Sequence, residues 1–482
     1  MSSRALTVTL NYDQSKKFAI VLNTHAPKEA ILRQARNKFR SKTLSLVFLR
    51  GGAHLKDGAD LPDSITQVWI SKGEPYSGPP IDLTRSTQPG EVRTIGEKSF
   101  IDHNAVNQLR LVGVLEGVHV AVGMPDLHPG SRFPIGCAIA AEGIYPALIG
   151  SDVGCGIALY RLSSSPRSVS NPSKLASLLR GLDEPWSGDV PAWLRKYGIE
   201  RSSHFDANSL GTVGAGNHFA EICSVEKIAD ATVAESLRIT EDCLYLIVHT
   251  GSRGLGASIL SAQTTTESNP YIPPTSPELQ EYLVEHDYAV RWAVANRDLV
   301  AHRIRQCIYW PSDTRKPMSS WSDDLEKIVE VTHNSVTRHA LNVNGETREL
   351  WVHRKGAAPA DKGVVPCPGS RGDFSWLLQP TGDGQINLQS LAHGAGRRHG
   401  RNALHAGTKI AKSSLTTTTL GSEVVCTDTD LLIEERPEAY KDIGGVVGDM
   451  EDQGLCKGVV VLRPVVTYKI REGGAARKPD RE

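Results

Sequence analysis

The feature that most constrains the fold of this chain is a recurring unit, an apolar run that ends in a glycine-rich turn carrying a histidine. In LYLIVHTGSRGLG, residues 244 to 248 have the pattern of a buried strand and His249 stands at its end. IVEVTHNSVT has the same order of an apolar run followed by a histidine, His333, but without the glycines. Such turns after strands are the usual place for ligands in α/β proteins, because glycine lets the backbone approach closely. A histidine at a strand end can also be purely structural, so each one is weighed separately.

Two other loops carry related donor groups. The stretch IGSDVGCGI, residues 149 to 157, holds Asp152 and Cys155 among three glycines, and LGTVGAGNHFAEI supplies His218. Alone, an aspartate in such a turn is commonly a turn former and a lone cysteine a small buried side chain. Carboxylate, thiol and imidazole together are the donor set that a divalent transition metal prefers. Four or five donors are more than one catalytic ion with an open coordination position needs. The simplest interpretation is therefore two ions bridged by the Cys155 thiolate.

Two later loops have features of phosphate-binding sites. VPCPGSRGDFSW is a glycine and serine loop able to present backbone N–H groups to phosphate oxygens. LAHGAGRRHGRNAL sets His393 in a tight glycine turn that opens a helix containing Arg397, Arg398 and Arg401. These features jointly suit a phosphate group.

Composition limits the class of protein. The chain has 482 residues, of which 39% are hydrophobic and 22% charged, and its formal net charge is zero, as in globular proteins. It has no apolar run of the roughly 20 residues that a bilayer span needs, so no membrane contact is expected. Its beginning, MSSRALTVTLNY, lacks the pattern of a secretory signal, and the eight cysteines are scattered without CxxC pairs. We therefore expect an intracellular, cytoplasmic protein in a reducing compartment.

The sequence predicts two bodies. Residues 1–75 have the order strand, strand, helix, strand and predict a small ββαβ domain of the ubiquitin-like β-grasp type. Residues 76–91 are rich in proline, glycine and serine and predict a linker. The second body is expected over 92–470, and residues 471–482 predict a disordered tail.

Charge is concentrated in the first body. Residues 1–80 contain 12 lysines or arginines against 6 aspartates or glutamates, with most of the basic excess within 28–42. A solvated helix face is the ordinary explanation of such a run, and contact with a nucleic acid or a partner is the alternative.

Eight ordered blocks of the second body resemble one known family, the RtcB-type RNA ligases. The blocks are MPDLHPGSRFPIG, IGSDVGCGI, LGTVGAGNHFAEI, HTGSRGLG, THN, HRKGA, PGSRGDFSW and HGAGRRHGR. Each alone is weak, whereas their agreement in order across 92–470 is specific. The resemblance implies an α+β fold, an RtcB-like catalytic body of mixed β-sheets and helices after the small N-terminal domain.

The resemblance also implies an activity. The family joins an RNA 3′-phosphate or 2′,3′-cyclic phosphate to a 5′-hydroxyl in RNA repair or tRNA splicing, and consumes GTP with Mn²⁺ through a histidine–GMP intermediate. The expected partners are therefore GTP, two Mn²⁺ ions and RNA with those ends, and the resemblance leaves open whether an archease-type activator takes part. The partner of the N-terminal domain is not implied.

Residue roles carry over by position. Asp152, Cys155, His218, His249 and His333 match the family's metal ligands, and His393 matches its guanylylated nucleophile. Positions that match its guanine-nucleotide site are Asn217, His218, Phe219, Ala220, Glu221, His333, Asn334, Pro368, Gly369, Ser370, Arg371, Ser375, His393, Gly394, Ala395, Gly396 and Lys469. Asp126 and Lys355 match further active-site positions.

This chain departs from the family's usual pattern at two points. Gly400 stands where a serine is frequent, and 13 residues follow Lys469, whose counterpart is usually almost terminal.

Two other functions are compatible with these residues. One is a catalytically idle RtcB-like scaffold whose N-terminal domain recruits a partner, although retention of every metal donor argues against it. The other is a metal-dependent RNA phosphatase or cyclic phosphodiesterase, which would need the ions but no nucleophilic histidine. Dependence of the product on GTP distinguishes it from a ligase.

Overall fold

The first domain is a small sheet crossed by one helix. A computed structural model describes residues 4–22, 27–49, 52–57, 61, 65–77, 89–162, 171–179, 181–182, 184–264, 270–309, 325–400, 404 and 412–470. The elements of this domain are β1 (Arg4–Leu10), β2 (Asp13–Leu22), α1 (Pro27–Lys38), β3 (Leu46–Phe48) and β4 (Gln67–Ser71). The strand order is β2-β1-β4-β3, with β1 and β4 parallel in the centre.

This N-terminal domain, residues 4–77 within the described ranges, has a hydrophobic core of its own. Alternating strand positions such as Leu6 and Val8 face the buried side of α1, which carries Ile31, Leu32 and Ala35. The sequence predicts a domain of the β-grasp type, and the structure has one helix packed on a mixed sheet whose first and last strands are parallel neighbours. Of the predicted linker, only residues 76–77 and 89–91 are described, and the predicted tail lies outside the described residues.

The second body contains the remaining elements. Its strands are β5 (Glu91–Thr94), β6 (Val118–His128), β7 (Ile135–Ala141), β8 (Gly156–Leu162), β9 (Phe219–Ile228), β10 (Leu244–Thr250), β11 (Glu326–Thr332), β12 (Asn334–Val343), β13 (Glu346–Lys355), β14 (Ala357–Pro359), β15 (Val365–Pro368), β16 (Ser375–Pro380), β17 (Ser390–Ala392), β18 (Glu423–Val425) and β19 (Cys456–Tyr468). Its helices are α2 (His103–Gly113), α3 (Pro146–Ile149), α4 (Pro172–Leu178), α5 (Val190–Arg195), α6 (Asp206–Ser209), α7 (Ala231–Ser236), α8 (Gly254–Gln263), α9 (Pro277–Tyr309), α10 (Lys412–Thr416), α11 (Thr429–Glu434) and α12 (Ile443–Asp452), with a 3-10 turn at Pro437–Ala439.

Two large sheets form the centre of this body. One has the order β11-β8-β10-β9-β19-β16-β15, with β18 paired to β19, and the other has the order β12-β13-β7-β6-β5. A small third sheet pairs β14 with β17. The two large sheets share one apolar core, in which Val122 and Val352 of the second pack with Ile157 and Ile247 of the first. The mixture of sheets and helices confirms the α+β fold.

Helices cover the outer faces of the sheets. Val300 and Ile304 of α9 pack on Tyr160 and Leu246 of the larger sheet, and α2 covers the smaller one. Within the described part of the chain, none of these helices combines the length and apolarity needed to cross a bilayer. The layered arrangement leaves the loops at the strand ends as the place for a site.

Candidate metal centre and nucleotide cavity

Three strand ends meet at the backbone of Gly156. This residue begins β8 and pairs with Thr250 at the end of β10 and with Thr332 at the end of β11. The neighbours of these three residues along the chain are thereby brought together: Cys155, His249 and His333. Because His249 and His333 each stand at or next to the end of a strand, pairing of these strands with β8 brings both imidazoles beside the thiol of Cys155.

The side chains of this cluster are close enough to share cations. Sγ of Cys155 lies 3.4 Å from Nε2 of His218 and 3.4 Å from Nε2 of His249. Nε2 of His249 lies 3.2 Å from Nε2 of His333, and Nε2 of His218 lies 2.8 Å from Oδ2 of Asp152. All five predicted donors therefore converge in one place.

The donors divide into two sets of three. Cys155, His249 and His333 form one set, and Asp152, Cys155 and His218 form the other, with the ligand atoms of each set within 4.8 Å of one another. Cys155 belongs to both, as a bridging thiolate requires. In addition, the buried Oδ1 of Asp152 has no hydrogen-bond partner among the described residues, so the site offers an unused anionic oxygen. Soft sulfur, imidazole nitrogen and carboxylate oxygen fit a pair of transition-metal ions.

Glycines permit the approach of the ligand loop. Gly154 has a φ of 82°, a left-handed conformation that side chains rarely adopt. At Gly156, a Cβ atom would overlap the carbonyl oxygen of Val331 on the neighbouring strand. The glycines of IGSDVGCGI therefore allow Asp152 and Cys155 to turn inward together.

Ionisation at the centre favours cation binding. Burial lowers the pKa of His249 and of His333 well below the usual value, and the neighbouring histidines add to the effect. Burial followed by the Asp152 charge raises the pKa of the Cys155 thiol well above its usual value. Burial also raises the pKa of Asp152, but His218 outweighs it and the net shift is downward. The imidazoles of His249 and His333 are thus neutral donors, and a thiolate at Cys155 needs a cation beside it.

Arg297, which was not predicted from the sequence, binds the backbone of two segments of this centre. The wholly buried Arg297 of α9 donates from Nη1 to the carbonyl oxygens of Gly154 at 2.9 Å and Thr250 at 2.7 Å. Its Nε donates to Oε1 of Glu330 at 2.8 Å. The only signal in the sequence is a charged residue on an otherwise apolar helix face, four positions after Ala293.

His393 lies next to the centre and is oriented by a carboxylate. Nδ1 of His393 lies 2.6 Å from Oδ2 of the fully buried Asp126. With Oδ2 accepting a hydrogen bond from Nδ1–H, the lone pair of the neutral ring lies on Nε2. The ring centroid of His393 is 4.7 Å from that of His333. An imidazole oriented by a buried carboxylate therefore stands beside the candidate metal ligands.

A large cavity opens in front of His393. Its volume is about 880 Å³, within the range of small-molecule sites. Predicted nucleotide residues in its lining are Asn217, Phe219, Glu221, Pro368, Gly369, Ser370, Arg371, His393, Gly394, Ala395, Gly396 and Lys469. The candidate metal ligand His249 and the basic residue Lys355 line it as well.

The other predicted nucleotide residues are not part of this lining. Asn334 donates from Nδ2 to the carbonyl oxygen of Asp152 at 3.1 Å, so it braces the metal-ligand loop. Ser375 donates from Oγ to Oε1 of Glu221 at 3.4 Å. Ala220 is buried within β9, and His218 and His333 belong to the metal cluster.

Two buried charged groups characterise the cavity. Burial raises the pKa of Glu221 to about 7, against hydrogen bonds from Thr467 and other neighbours. Burial lowers the pKa of Lys469, although Glu435, 3.4 Å from its Nζ, opposes the shift. Lys469 also donates to the carbonyl oxygen of His218 at 3.1 Å. Glu435 was not predicted, and nothing in its local sequence distinguishes it from an ordinary helix-end glutamate.

Comparison with known proteins agrees with this geometry. A family model described as tRNA-splicing ligase RtcB matches residues 108–192 and 194–470. The chain belongs to the RtcB family. The RtcB2 RNA-splicing ligase of Escherichia coli is 39% identical over 374 residues, which cover 77% of this chain and 93% of that protein. The tRNA-splicing ligase RtcB of Archaeoglobus fulgidus is 29% identical over 450 residues, covering 77% and 92%. The RtcB match begins at residue 108, so the N-terminal domain lies outside it.

Proposed function

We propose that this protein is a GTP- and Mn²⁺-dependent RNA ligase that joins RNA 3′-phosphate or 2′,3′-cyclic phosphate ends to 5′-hydroxyl ends, in RNA repair or tRNA splicing. The observation that carries the proposal is the position of His393. Its ring stands 4.7 Å from the ring of His333, with Nδ1 held by Asp126 and Nε2 left as the basic nitrogen. Membership of the RtcB family supports the same reaction.

The metal centre has a defined part in the proposal. Asp152, Cys155, His218, His249 and His333 would hold two Mn²⁺ ions, which when bound would neutralise charge on the phosphate oxygens of the substrates. Histidine and thiolate donors also accept Zn²⁺, Co²⁺ or Ni²⁺, often more tightly. The ion used in the cell therefore depends on availability as well as on the donors.

The first step is transfer of GMP to the protein. Nε2 of His393 attacks the α-phosphorus of GTP, the bond from phosphorus to the bridging oxygen breaks, and pyrophosphate leaves. Asp126 keeps the Nδ1 proton in place and stabilises the positive charge on the ring as the N–P bond forms. The Glu221 carboxylate can accept from the N–H groups of guanine, and Arg371 and Lys469 can offset phosphate charge in the cavity.

Two further transfers complete the joining of RNA. An oxygen of the RNA 3′-phosphate attacks the phosphorus of the histidine-linked GMP, so the N–P bond breaks and His393 is restored. The 5′-hydroxyl oxygen of the second RNA then attacks the activated 3′-phosphorus, loses its proton and expels GMP. A 2′,3′-cyclic phosphate must first be opened by water to a 3′-phosphate. The chain's own contribution is positioning and charge compensation.

The deciding experiment measures transfer of a labelled α-phosphate from GTP to the protein. The protein is incubated with Mn²⁺ and GTP labelled at the α-phosphate, and label bound to the protein is tested in acid and in base. We expect label that survives base and is lost in acid, as a phosphoramidate requires, and none on His393→Ala. His119→Asn, a surface histidine paired with Glu142, is the matched control and should label normally.

The alternatives predict other outcomes. An idle scaffold would give no label on the wild-type protein. A phosphatase or cyclic phosphodiesterase would convert RNA ends without GTP and without His393. Either result, or label that persists on His393→Ala, would overturn the ligase proposal.

A further inference from the structure

The N-terminal domain contributes to the wall of the catalytic cavity. Gly52 and Ala53, in the loop after β3, and Pro75, after β4, line the same cavity as His393 and Lys469. This domain lies outside the match to the RtcB family, which begins at residue 108. Its position at the cavity is therefore a property of this chain that the family core does not supply.

The lining segments are held firmly by the domain's own contacts. Nδ2 of the buried Asn11 donates to the carbonyl oxygen of Pro75 at 2.7 Å, and Oδ1 of Asn11 accepts from the backbone of Ser77 at 2.8 Å. The ring of Tyr76 packs on those of Phe48 and Trp69, with centroids 5.5 and 5.4 Å apart. The two segments thus form one ordered face of the domain.

That face is close to a basic loop of the catalytic body. Arg132, in the loop between β6 and β7, lines the cavity next to Phe133. Burial lowers the pKa of Arg132 to about 10, and the nearby Tyr76 phenol opposes the shift. Arg132 of the catalytic body therefore lines the same cavity as Gly52, Ala53 and Pro75 of the N-terminal domain.

The size and charge of the cavity indicate which kind of ligand it can hold. The cavity volume of about 880 Å³ lies near the upper end of the range for single-ligand sites, which runs from about 300 to about 1,000 Å³. The charged side chains that line the cavity are six basic ones, Arg132, Lys355, Arg371, Arg397, Arg398 and Lys469, against three acidic ones, Asp102, Glu221 and Glu435. A polyanion is the partner that such surroundings attract.

We propose that the N-terminal domain forms one side of the RNA entrance, where Gly52, Ala53 and Pro75 face the single strand that leads to the reacting 3′-phosphate. This inference rests on the proposed ligase function and adds a substrate-binding surface to it. Ala53 and Pro75 are exposed side chains, so a strand can slide past them without displacing protein groups. The basic loops opposite hold its phosphates.

The test places charge of either sign on this wall. Binding of a fluorescent single-stranded 10-nucleotide RNA with a 3′-phosphate is measured by anisotropy at low salt in the presence of Mn²⁺. Ala53→Glu should raise the Kd roughly fivefold by repelling phosphates, and Ala53→Lys should lower it by a comparable factor. Ala53→Gln, which adds similar bulk without charge, separates sterics from electrostatics. Val21→Glu, at an exposed position of β2 in the same domain, is the control for charge placed elsewhere.

The outcomes distinguish this inference from the ligase proposal. A Kd that is the same within twofold for the glutamate, glutamine and lysine variants would overturn the RNA entrance and favour a protein partner for this face. An equal effect of Val21→Glu would also overturn it. Guanylylation of the unsubstituted protein by GTP tests the ligase proposal separately, because that step needs no RNA.

Discussion

The guanidinium of Arg297 donates a hydrogen bond of 2.7 Å to the carbonyl oxygen of Thr250, the residue that follows the metal-ligand candidate His249. The same Nη1 donates to Gly154, which precedes Cys155, and Nε donates to Glu330 on the strand that leads to His333. A single buried side chain thus ties together three of the four segments that supply the candidate donors.

Replacement of Arg297 should lower both the stability of the protein and its affinity for Mn²⁺. In Arg297→Met the two carbonyls and Glu330 lose their partner, so we expect a loss of roughly 3 to 5 kcal/mol in the free energy of unfolding and a Kd for Mn²⁺ raised at least tenfold. Arg297→Lys, which keeps the charge, should recover part of both. Urea unfolding and equilibrium dialysis with Mn²⁺ measure the two effects.

The control for Arg297 lies on the same helix. Arg291 is exposed, and its Nη1 donates to the carbonyl oxygen of Gly198 at 2.8 Å. Arg291→Met should leave the Kd for Mn²⁺ within twofold. Wild-type metal affinity in a folded Arg297→Met protein would exclude a positioning role.

The carboxylate of Asp126 should be essential to guanylylation. In Asp126→Asn the amide has nearly the same shape but no charge to stabilise the protonated ring of His393. It can also favour the wrong tautomer. By analogy with other carboxylate–histidine pairs we expect a fall in the rate of labelling by GTP of roughly 100-fold to 10,000-fold, with little change in the midpoint of thermal unfolding. A rate within threefold of wild type would show that Asp126 does not prepare His393.

The sequence predicted those site residues whose local pattern carries their function. His249 and His333 stand at the ends of apolar runs, and Asp152 and Cys155 lie in a glycine turn, so the strand ends and the tight turn were both visible. Their convergence at Gly156 depends on strand register, which follows from pairing between segments distant in sequence. Donor identity was therefore predictable, whereas the distances that group them into two sets were not.

The supporting residues could not be predicted in the same way. Arg297 acts on carbonyl groups more than 40 residues away in the sequence, and backbone acceptors leave no mark in side-chain patterns. Glu435 pairs with Lys469 and with Arg397 at 2.9 Å only because the chain returns to the cavity after α11. The N-terminal domain was recognised from its alternation, but its place at the cavity depends on contacts between domains.

The shared thiolate predicts how many ions each variant retains. His218→Ala removes a donor from only one set, so we expect one bound ion per chain, held by Cys155, His249 and His333. Cys155→Ser weakens both sets, so we expect less than one. Metal content after dialysis against Mn²⁺ measures the stoichiometry, and with Co²⁺ the sulfur-to-metal absorption band should persist in the first variant and vanish in the second. Two tightly held ions in Cys155→Ser would rule out the bridge.

Glu221 should make both stability and nucleotide binding depend on pH near neutrality. Burial raises its pKa from 4.5 to about 7. As the pH rises from about 4.5 to about 7, the unfolded chain loses this proton first, so the folded state loses stability over that window and no more above it. The pKa difference sets an upper limit of roughly 3 kcal/mol.

The variant Glu221→Gln isolates this contribution. Between pH 4.5 and 7, the free energy of unfolding in urea should fall less for Glu221→Gln than for wild type. The control is Glu226→Gln, on the same strand but paired with Arg463 at the surface. It should match wild type in that window, because the pKa of Glu226 is lowered. Because the ionised Glu221 is the form that accepts hydrogen bonds from guanine, GTP affinity of the wild type should rise through pH 7, and Glu221→Gln should bind weakly at every pH. Identical pH profiles for wild type and Glu221→Gln would show that this carboxyl group titrates outside the window and takes no part in holding the base.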